Sequence, residues 1–520
     1  MEIIHVSAEC YPVAKAGGLG DVVGALPKYQ NQSGHIAKVV MPMYRTKFLD
    51  DNQWEVVHKG YTHMGDWWFN YTIIKEATNK LGFDLYLVDI FGLLDREKIY
   101  GYGDDAERFM AFQIAVVDWI NAWQHRPDVV HVHDHHTALI PFMLKYCLAY
   151  RHLSTIPTVL TIHNAQYQGQ MGWDKSRNLP AWDNWQGGML EWNKDINPLA
   201  SGIKCAWKVT TVSPSYLVEM RQQANGLEAL LEYEKGKCTG ILNGIDTRVW
   251  DPATDIYFED HYTADSPGHE SVDDGGQAGD PGEGTSDVPG QGTSDASGQG
   301  STGNGGEGSI DRPGEGKRKN KQLLCERFNL DPGKPLITFI GRLVGEKGAD
   351  LLPQAIEDSF YYIGRKMNFL VLGSGFPDIE ARLLAMKGLS RGDYDVFIGF
   401  DEKLSHLMYA GADFILMPSR VEPCGLNQMY AMRYGTIPVV RNTGGLRDTV
   451  IDYGEKNGYG IRFNHATVGD LTHGIWRAVE LFHQSEKALE IRSRIMQLDF
   501  SWESSVRSYL DLYEGLKMPG

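Results

Sequence analysis

A strand-like run and a glycine-rich turn decide the fold: Ile3-Ile4-His5-Val6-Ser7 and Lys15-Ala-Gly-Gly-Leu-Gly-Asp21. The helix-like segment Val22 to Tyr29 follows the turn, so the order is that of a βαβ unit. A glycine turn that enters a helix offers backbone N–H groups to an anion, and Lys15 adds a positive charge. The motif predicts a phosphate-binding turn, and a tight turn with a solvated lysine is the simpler alternative.

The same rhythm of short β-branched runs and amphipathic segments continues along the chain. Further runs before residue 250 are Lys38 to Met41, Phe83 to Asp89, Asp128 to Asp134, Thr158 to Asn164 and Val209 to Ser213. After residue 330 the runs are Leu336 to Gly341, Phe369 to Gly373, Val396 to Gly399, Phe414 to Ser419 and Ile437 to Arg441. This pattern predicts two doubly wound α/β domains that face each other across a cleft, where ligands bind at the carboxyl ends of the strands.

Composition excludes several classes of protein. A chain of 520 residues with 42% hydrophobic and 22% charged residues is expected to form two or three globular domains. The net charge of −17 argues against a nucleic-acid partner. Six scattered cysteines without a C-x-x-C pair indicate neither a zinc site nor a disulfide framework, and they favour the cytoplasm. The sequence has neither a signal-like start nor a long apolar span, so we expect no membrane partner.

Residues 265–316 differ from the rest of the chain. The segment contains 16 Gly and 11 acidic residues against one Arg, and it has few apolar side chains. Such a composition cannot bury enough surface to offset its ordering entropy, so we predict a disordered insertion. The basic run that starts at Lys317 is predicted to open a helix that ends near Phe328.

Two histidine-containing motifs end apolar strands in the first half. The run His131-Val-His-Asp-His-His136 contains metal-ligand types, but its order differs from that of hydrolase metal sites. We therefore favour an ordered polar strand end, with sugar or structural contacts at the cleft as the alternative, and expect no metal. Thr161-Ile-His163-Asn164 would project His163 and Asn164 into the cleft, where each could bind a sugar hydroxyl or serve only a structural role.

The second half carries cations and a carboxylate at equivalent places. Gly341-Arg342-Leu-Val-Gly-Glu-Lys347 follows a strand, and a fork donor with a point charge suits a diphosphate, with two solvated surface cations as the alternative. Glu422 precedes a predicted helix start within Ser419 to Gln428, where it could cap the helix or bind sugar hydroxyls. Asn442-Thr-Gly-Gly-Leu446 repeats the glycine turn. Together these motifs predict a diphosphate-bearing ligand between the domains.

At this point the motifs resemble those of a known family. Four stretches resemble the motifs of bacterial glycogen synthases and plant starch synthases. They are the Lys15 to Asp21 turn, Ile162-His-Asn164, Asn243-Gly-Ile-Asp246 and the run from Pro418 to Leu446. These synthases are retaining glucosyltransferases of glycosyltransferase family 5 with the two-domain GT-B fold. The resemblance covers residues 2–513 apart from the acidic insertion. It implies an N-terminal domain over residues 1–250 that is joined by a C-terminal helix over 497–520, and a second domain over 251–496.

The resemblance also implies a role for each candidate residue. Arg342 and Lys347 would hold the diphosphate, Glu422 would touch the transferred sugar, and Phe400 would stack on the base. The implied catalytic residues are therefore His163, Arg342, Lys347 and Glu422. The implied substrate-binding residues are Lys15, Gly17, Gly18, Asp21, Asn164, Asn243, Phe400, Gly425, Leu426, Asn427, Thr443, Gly444 and Gly445.

Four positions depart from the family pattern. They are Ala16, His135, Ala200 and Asn427. None of them removes a cation or a carboxylate that is assigned to the chemistry, but they bear on donor or acceptor preference.

The expected activity is transfer of glucose from ADP-glucose, or from UDP-glucose, to the non-reducing 4-hydroxyl of an α-1,4-glucan with retention. No metal is expected, because the two cations stabilise the departing diphosphate. No cofactor is expected either. An inactive glucan-binding or regulatory homologue and a pyridoxal-phosphate-dependent glucan phosphorylase are the alternatives. A Rossmann dehydrogenase is less favoured, because Gly373-Ser-Gly375 is not followed by a third glycine.

Overall fold

The computed structural model describes residues 1–264 and 313–516 of the chain. Two large separate sheets, of nine and six strands, and one two-stranded pair organise these residues. Helices cover both sheets, so the prediction of two doubly wound α/β units is confirmed. Most of the predicted insertion, residues 265–312, lies outside the described residues.

The first sheet is parallel over most of its width. Its strand order is β11-β10-β7-β6-β1-β2-β5-β4-β3, and β3 pairs antiparallel with β4, as β4 does with β5. The strands of this half, including the small β8-β9 pair, are β1 (Glu2–Val6), β2 (Ile36–Pro42), β3 (Trp54–Met64), β4 (Trp67–Glu76), β5 (Asp84–Asp89), β6 (Val129–His133), β7 (Thr158–Ile162), β8 (Glu191–Trp192), β9 (Asp195–Ile196), β10 (Lys208–Thr211) and β11 (Cys238–Gly240). Strands β6 and β7 are buried along their whole length, as expected for a parallel sheet covered on both faces.

Seven α-helices connect these strands. They are α1 (Gly18–Gln32), α2 (Lys47–Asp50), α3 (Asp105–Asn121), α4 (Ile140–Tyr146), α5 (Pro198–Cys205), α6 (Pro214–Met220) and α7 (Glu228–Tyr233). Local sequence sets several starts. The side chain of Asn197 accepts from the amide of Ala200 at the start of α5, and Ser213 caps α6 in the same way.

The second sheet is entirely parallel. Its order is β14-β13-β12-β15-β16-β17, formed by β12 (Leu336–Ile340), β13 (Asn368–Gly373), β14 (Tyr394–Ile398), β15 (Phe414–Met417), β16 (Ile437–Arg441) and β17 (Ile461–Phe463). The helices of this half are α8 (Pro313–Phe328), α9 (Leu352–Tyr362), α10 (Pro377–Met386), α11 (Glu402–Gly411), α12 (Asn427–Arg433), α13 (Gly444–Thr449), α14 (Val468–Phe482), α15 (Ser485–Met496) and α16 (Trp502–Glu514). This is the strand order of a Rossmann fold, with its reversal between β12 and β15.

Two predicted boundaries are corrected. Helix α8 begins at Pro313, so residues 313–316 belong to a helix and not to the insertion. The chain is fixed there because the Lys317 ammonium donates to the carbonyl of Tyr434 and to the hydroxyl of Thr436. The closing helix spans Trp502–Glu514 within the predicted 497–520 segment.

Helix α16 returns from the second half of the chain to the first sheet. Its buried Trp502, Val506 and Tyr509 pack with Val22 and Leu26 of α1. Among the described residues, no helix combines the length and the apolar character that crossing a membrane requires.

Candidate active site

The reversal of strand order in the second sheet positions the first group of candidate residues. Strands β12 and β15 are neighbours, and their connections leave in opposite directions. A crevice forms at such a point outside the carboxyl ends of the strands. Arg342 and Lys347 follow β12, and Glu422 follows β15, so the fold brings these three candidates to one edge.

Lys347 and Glu422 form the central contact of this edge. The Lys347 ammonium lies 2.7 Å from Glu422 Oε1, and the Ser419 hydroxyl donates to Oε2 at 2.8 Å. Glu422 is 5% exposed, and α12 begins only at Asn427. The carboxylate therefore holds Lys347 and does not cap the helix, which excludes the capping alternative.

Arg342 is placed differently from Lys347. Its side chain is 54% exposed, and its nearest carboxylate oxygen, on Glu346, is 3.6 Å from the guanidinium. This loose contact leaves the guanidinium fork available to an anion, because an exposed ion pair of this kind adds little stability. Arg342 and Lys347 thus offer one open and one anchored cation.

The loops around these cations carry the other candidates of the second half. Phe400 follows β14 and is 87% exposed, so its ring is available for stacking. Gly425 has φ of +73°, which favours glycine, and it lies beside Leu426, the residue before α12. The Asn427 side-chain amide donates to the carbonyl of Ile340 at 2.7 Å, so this departure from the family pattern ties α12 to β12.

The second glycine turn is already engaged by a carboxylate. The amide of Gly444 donates to Glu219 Oε1 at 2.8 Å, and the Thr443 hydroxyl donates to the same carboxylate. Glu219 belongs to α6 of the first half, so this contact joins the two halves. The amide of Gly445 donates to the carbonyl of Glu422. The amides of Gly444 and Gly445 therefore hold protein oxygens in this structure.

In the first half, the glycine-rich turn follows β1 as predicted. The ammonium of Lys15 lies 2.7 Å from Asp21 Oδ1. The amides of Ala16 and Gly17 donate to the buried carboxylate of Glu9. A Cβ added at Gly17 or at Gly18 would meet no atom within 4 Å, so the space above the turn is open. Burial raises the pKa of the Asp21 carboxyl.

His163 and Asn164 follow β7 and share a partner. The amide of His163 donates to Asp134 Oδ1 at 2.7 Å, and the amide of Asn164 points to the same oxygen at 3.4 Å. Burial raises the pKa of the Asp134 carboxyl to about 7, against the lowering effect of these two amides. Asp134 therefore fixes the turn that carries both candidates.

The histidine run forms part of a buried hydrogen-bond network. His131 and His133 lie on β6 with no exposed surface, and their ring nitrogens lie within 4.8 Å of those of His5. Each of these rings already has hydrogen-bond partners on both nitrogens. The arrangement agrees with an ordered polar strand end, and the expectation of no metal stays a prediction.

The remaining candidate, Asn243, lies where the two halves meet. Its side chain is buried, its Oδ1 has no hydrogen-bond partner among the described residues, and its backbone contacts the Cys424 thiol. Nearby, the hydroxyl of Ser213 donates to the carbonyl of Pro423 at 2.6 Å. Loops from both sheets therefore meet at this edge.

Two other departures from the family pattern, His135 and Ala200, pack within the first half of the chain. The His135 ring lies against His136, with 3.7 Å between ring centroids. Ala200 is buried in the first turn of α5.

Sequence reasoning missed two residues that contact the glycine turns. Glu9 occupies amides of the first turn, and Glu219 occupies those of the second. Each is one acidic residue among many in the sequence, and no local pattern separates them from solvated carboxylates. The roles of all candidate residues in catalysis and binding stay predictions.

Comparisons with known proteins cover the whole chain. A family model described as "Starch synthase catalytic domain" matches residues 2–233, and one described as "Glycosyl transferases group 1" matches residues 320–489. The chain is 48% identical to a glycogen synthase of Flavobacterium johnsoniae over 99% of this chain and 98% of that protein. It is 34% identical to a glycogen synthase of Streptococcus uberis over the full length of both.

Solved structures agree with these matches. The catalytic domain of starch synthase IV from Arabidopsis thaliana, bound to ADP and acarbose, is 28% identical with a TM-score of 0.82, covering 99% of each chain. A sucrose-phosphate synthase from Thermosynechococcus elongatus is 14% identical with a TM-score of 0.60, again over 99% of each chain, and it supports the fold alone. The prediction of a GT-B fold with two Rossmann-like domains is confirmed.

Proposed function

Because this chain belongs to the family of glycogen synthases and starch synthases, which are glucosyltransferase enzymes, we propose that it extends an α-1,4-glucan. Its donor is ADP-glucose, with UDP-glucose as the alternative. Glucose passes to the non-reducing 4-hydroxyl of the glucan with retention of configuration. The pairing of Lys347 with Glu422 beside the open Arg342 guanidinium, at the strand reversal of the second sheet, is the observation that carries this proposal.

Charge development explains why these groups suit the reaction. Departure of the nucleoside diphosphate leaves negative charge on phosphate and positive character on the sugar. Arg342 and Lys347 stabilise the phosphate charge, and the Glu422 carboxylate lies beside Lys347, where the transferred sugar would lie. Preorganised charges of this kind need no reorganisation when the bond breaks.

We assign no covalent nucleophile. Both oxygens of Glu422 are engaged, one by Lys347 and the other by Ser419. The chemistry proposed is a front-face displacement in which the departing phosphate takes the proton of the acceptor hydroxyl. His163 and Asn164 from the first half contact the glucosyl group in this proposal, while Lys15 and Asp21 meet the nucleotide sugar.

A nucleotide-bound relative and the free cysteines also support the proposal. A solved relative, the Arabidopsis thaliana starch synthase IV domain, holds ADP, which favours an adenine nucleotide donor here. All six cysteines are free, which suits a reducing compartment, and we propose a cytoplasmic location. The partners proposed are thus a nucleotide sugar and a glucan, such as glycogen or starch.

The test is glucose transfer to glycogen, measured with ADP-glucose and UDP-glucose side by side. We expect transfer with ADP-glucose to be faster, and the product linkage to show the α configuration by NMR. Binding of glycogen without transfer from either donor would instead support an inactive glucan-binding homologue.

A further inference from the structure

A chain of three buried imidazole rings leads from the protein interior to the candidate active site. His5 on β1, His133 on β6 and His163 after β7 come from adjacent strands. His5 Nδ1 lies 3.1 Å from His133 Nε2, and His133 Nδ1 lies 3.0 Å from His163 Nε2. Each ring thus contacts the next through one nitrogen on each side.

Gln30 lies at the interior end of the chain. It is fully buried on α1, and its side-chain Oε1 lies 2.8 Å from His5 Nε2. Its side-chain nitrogen points to the Tyr513 hydroxyl of α16 at 3.4 Å. With Oε1 placed toward His5, the amide oxygen accepts the hydrogen bond and His5 Nε2 carries the proton that it donates.

This one donor fixes the direction of every bond that follows. A neutral imidazole has one N–H donor and one bare acceptor nitrogen. His5 Nδ1 therefore accepts from His133 Nε2, and His133 Nδ1 accepts from His163 Nε2. The last atom of the chain, His163 Nδ1, is left as a bare acceptor.

The surroundings of His163 Nδ1 agree with a role toward a ligand. Within residues 1–264 and 313–516, this atom has no hydrogen-bond partner, and it is not among the fully buried unpartnered atoms. The three rings remain neutral at ordinary pH, because burial lowers the pKa of His5 to about 4, that of His163 to about 3 and that of His133 well below its usual range. Each ring thus holds the single proton that the chain requires.

We propose that Gln30, His5 and His133 are positioning residues that fix the tautomer of His163, so that Nδ1 accepts a hydrogen bond from a hydroxyl of the transferred glucose. The ligand part of this inference rests on the proposed function, whereas the tautomer part does not. Which imidazole nitrogen is protonated is set by the hydrogen bond that the other nitrogen makes.

A neighbouring branch of the same network supplies a control. His131 contacts the Tyr513 hydroxyl and Thr161 Oγ1, and Thr161 Oγ1 lies 2.6 Å from Thr210 Oγ1. Thr210 is as buried as the imidazole chain but is not part of it. The variant Thr210→Val removes a buried hydroxyl of this network while leaving every member of the chain in place.

The first measurement is the nitrogen-15 spectrum of the wild-type protein labelled at histidine, without substrate. Protonated and bare ring nitrogens differ in chemical shift, so the tautomer of each neutral ring is read directly. We expect His163 to be protonated at Nε2 and bare at Nδ1. Protonation at Nδ1 would overturn the proposal whatever the enzyme does with glucose.

The second measurement compares glucose transfer by three variants. Gln30→Met keeps the length of the side chain and removes the acceptor, so we expect mixed tautomers at His163 and a kcat/KM that is roughly ten- to hundredfold lower, with ADP affinity unchanged. Gln30→Glu restores an acceptor oxygen and should recover most of the activity. Thr210→Val should behave as the wild type does.

The outcomes separate positioning from a structural role. Loss of transfer in Gln30→Met without a tautomer change, or without recovery in Gln30→Glu, would overturn the proposal. If Gln30→Met does not fold, His133→Phe keeps an aromatic ring and cuts the chain. This variant must then show both mixed tautomers at His163 and the lowered kcat/KM. A wild type that transfers no glucose contradicts the proposed function, while its spectrum still tests the tautomer.

Discussion

At the residue scale, the two cations after β12 differ in how firmly the protein holds them. Lys347 is anchored by a buried carboxylate, whereas Arg342 is largely exposed. Removing Lys347 would also leave Glu422 buried without its partner and destabilise the fold. A lower rate of transfer in that variant would therefore not separate an effect on catalysis from an effect on stability. Arg342 therefore gives the cleaner test of charge stabilisation.

We expect Arg342→Ala to lower kcat by roughly 10² to 10³ while leaving the unfolding temperature unchanged, because one preorganised donor of transition-state charge is lost. Steady-state rates of glucose transfer measure this effect. Arg382→Ala, which removes an exposed arginine from α10, is the matched control and should leave the rate unaltered. An Arg342 variant with full turnover would remove this residue from the mechanism.

At the element scale, the first turn of α13 binds an anionic side chain from the opposite half. Glu219 accepts from the amide of Gly444 and from the hydroxyl of Thr443. A Cβ at Gly444 would lie 2.0 Å from the carbonyl of Glu422, so the turn is also packed tightly against the Glu422 loop. If this turn receives a substrate phosphate or sugar, Glu219 must first leave it.

We expect Glu219→Ala to bind ADP roughly three- to tenfold more tightly, because the amides of α13 no longer have a competing carboxylate. Isothermal titration calorimetry with ADP measures the change. Glu228→Ala, which removes an acidic residue from α7 in the same half, serves as the control. Weaker binding of ADP by the Glu219 variant would show that the carboxylate supports the site and does not compete for it.

The sequence pattern predicts most strands of both sheets. The β-branched runs located β1, β2, β5, β6, β7 and β10, and those of the second sheet from β12 to β16, because buried parallel strands read as continuous apolar runs. The β3-β4 hairpin was not predicted, although Gly65 and Asp66 form the two-residue turn between its strands, because its strands are partly exposed and do not read as continuous apolar runs. Contacts such as Glu219 with Gly444 join residues over 200 positions apart, and no local pattern encodes them.

At the scale of the whole molecule, buried histidines link stability to pH. Burial lowers the pKa of His5 and of His135 to about 4, that of His163 to about 3, and that of His131, His133 and His136 well below the usual range. The unfolded chain takes up protons at these six groups as the pH falls through about 6.5, whereas the folded protein does not. The contribution of these six groups to the free energy of unfolding is therefore fully present above this pH and is lost as the pH falls.

We expect the free energy of unfolding to drop by on the order of 5 kcal/mol between pH 7 and pH 5.5. Asp21, Asp89 and Asp134, whose carboxyl pKa values are raised by burial, act in the opposite direction but are fewer. Urea unfolding at a series of pH values measures the slope. His136→Phe should reduce the slope and the exposed His125→Asn should not; a wild-type stability that is constant over this range would contradict the account.

The acidic insertion interrupts a part of the chain that is held together on both sides. The described chain on either side of it is already joined, because the Asn320 side chain donates to the carbonyl of Asp260 at 2.8 Å and Lys317 anchors the first turns of α8. The division of the chain between residues 250 and 251 stays a prediction. The disorder of residues 265–312 also stays a prediction.

Deleting residues 270–311 should leave glucose transfer unchanged and alter stability by at most about 1 to 2 kcal/mol, because loop-closure entropy depends weakly on length. Thermal unfolding and transfer to glycogen measure the two effects. Extending the deletion through residue 316 removes the first turn of α8 and should cost more. A folded 270–311 deletion that no longer elongates glucan would make the insertion an acceptor-binding or regulatory element.

The most direct test of the central claim is the incorporation of labelled glucose from ADP-glucose into glycogen in the presence of a chelator. We predict steady incorporation into α-1,4-linked chains at the rate seen without the chelator, because Arg342 and Lys347 supply the positive charge for the departing diphosphate. Incorporation that stops with the chelator and returns with one particular metal would contradict this account of the site.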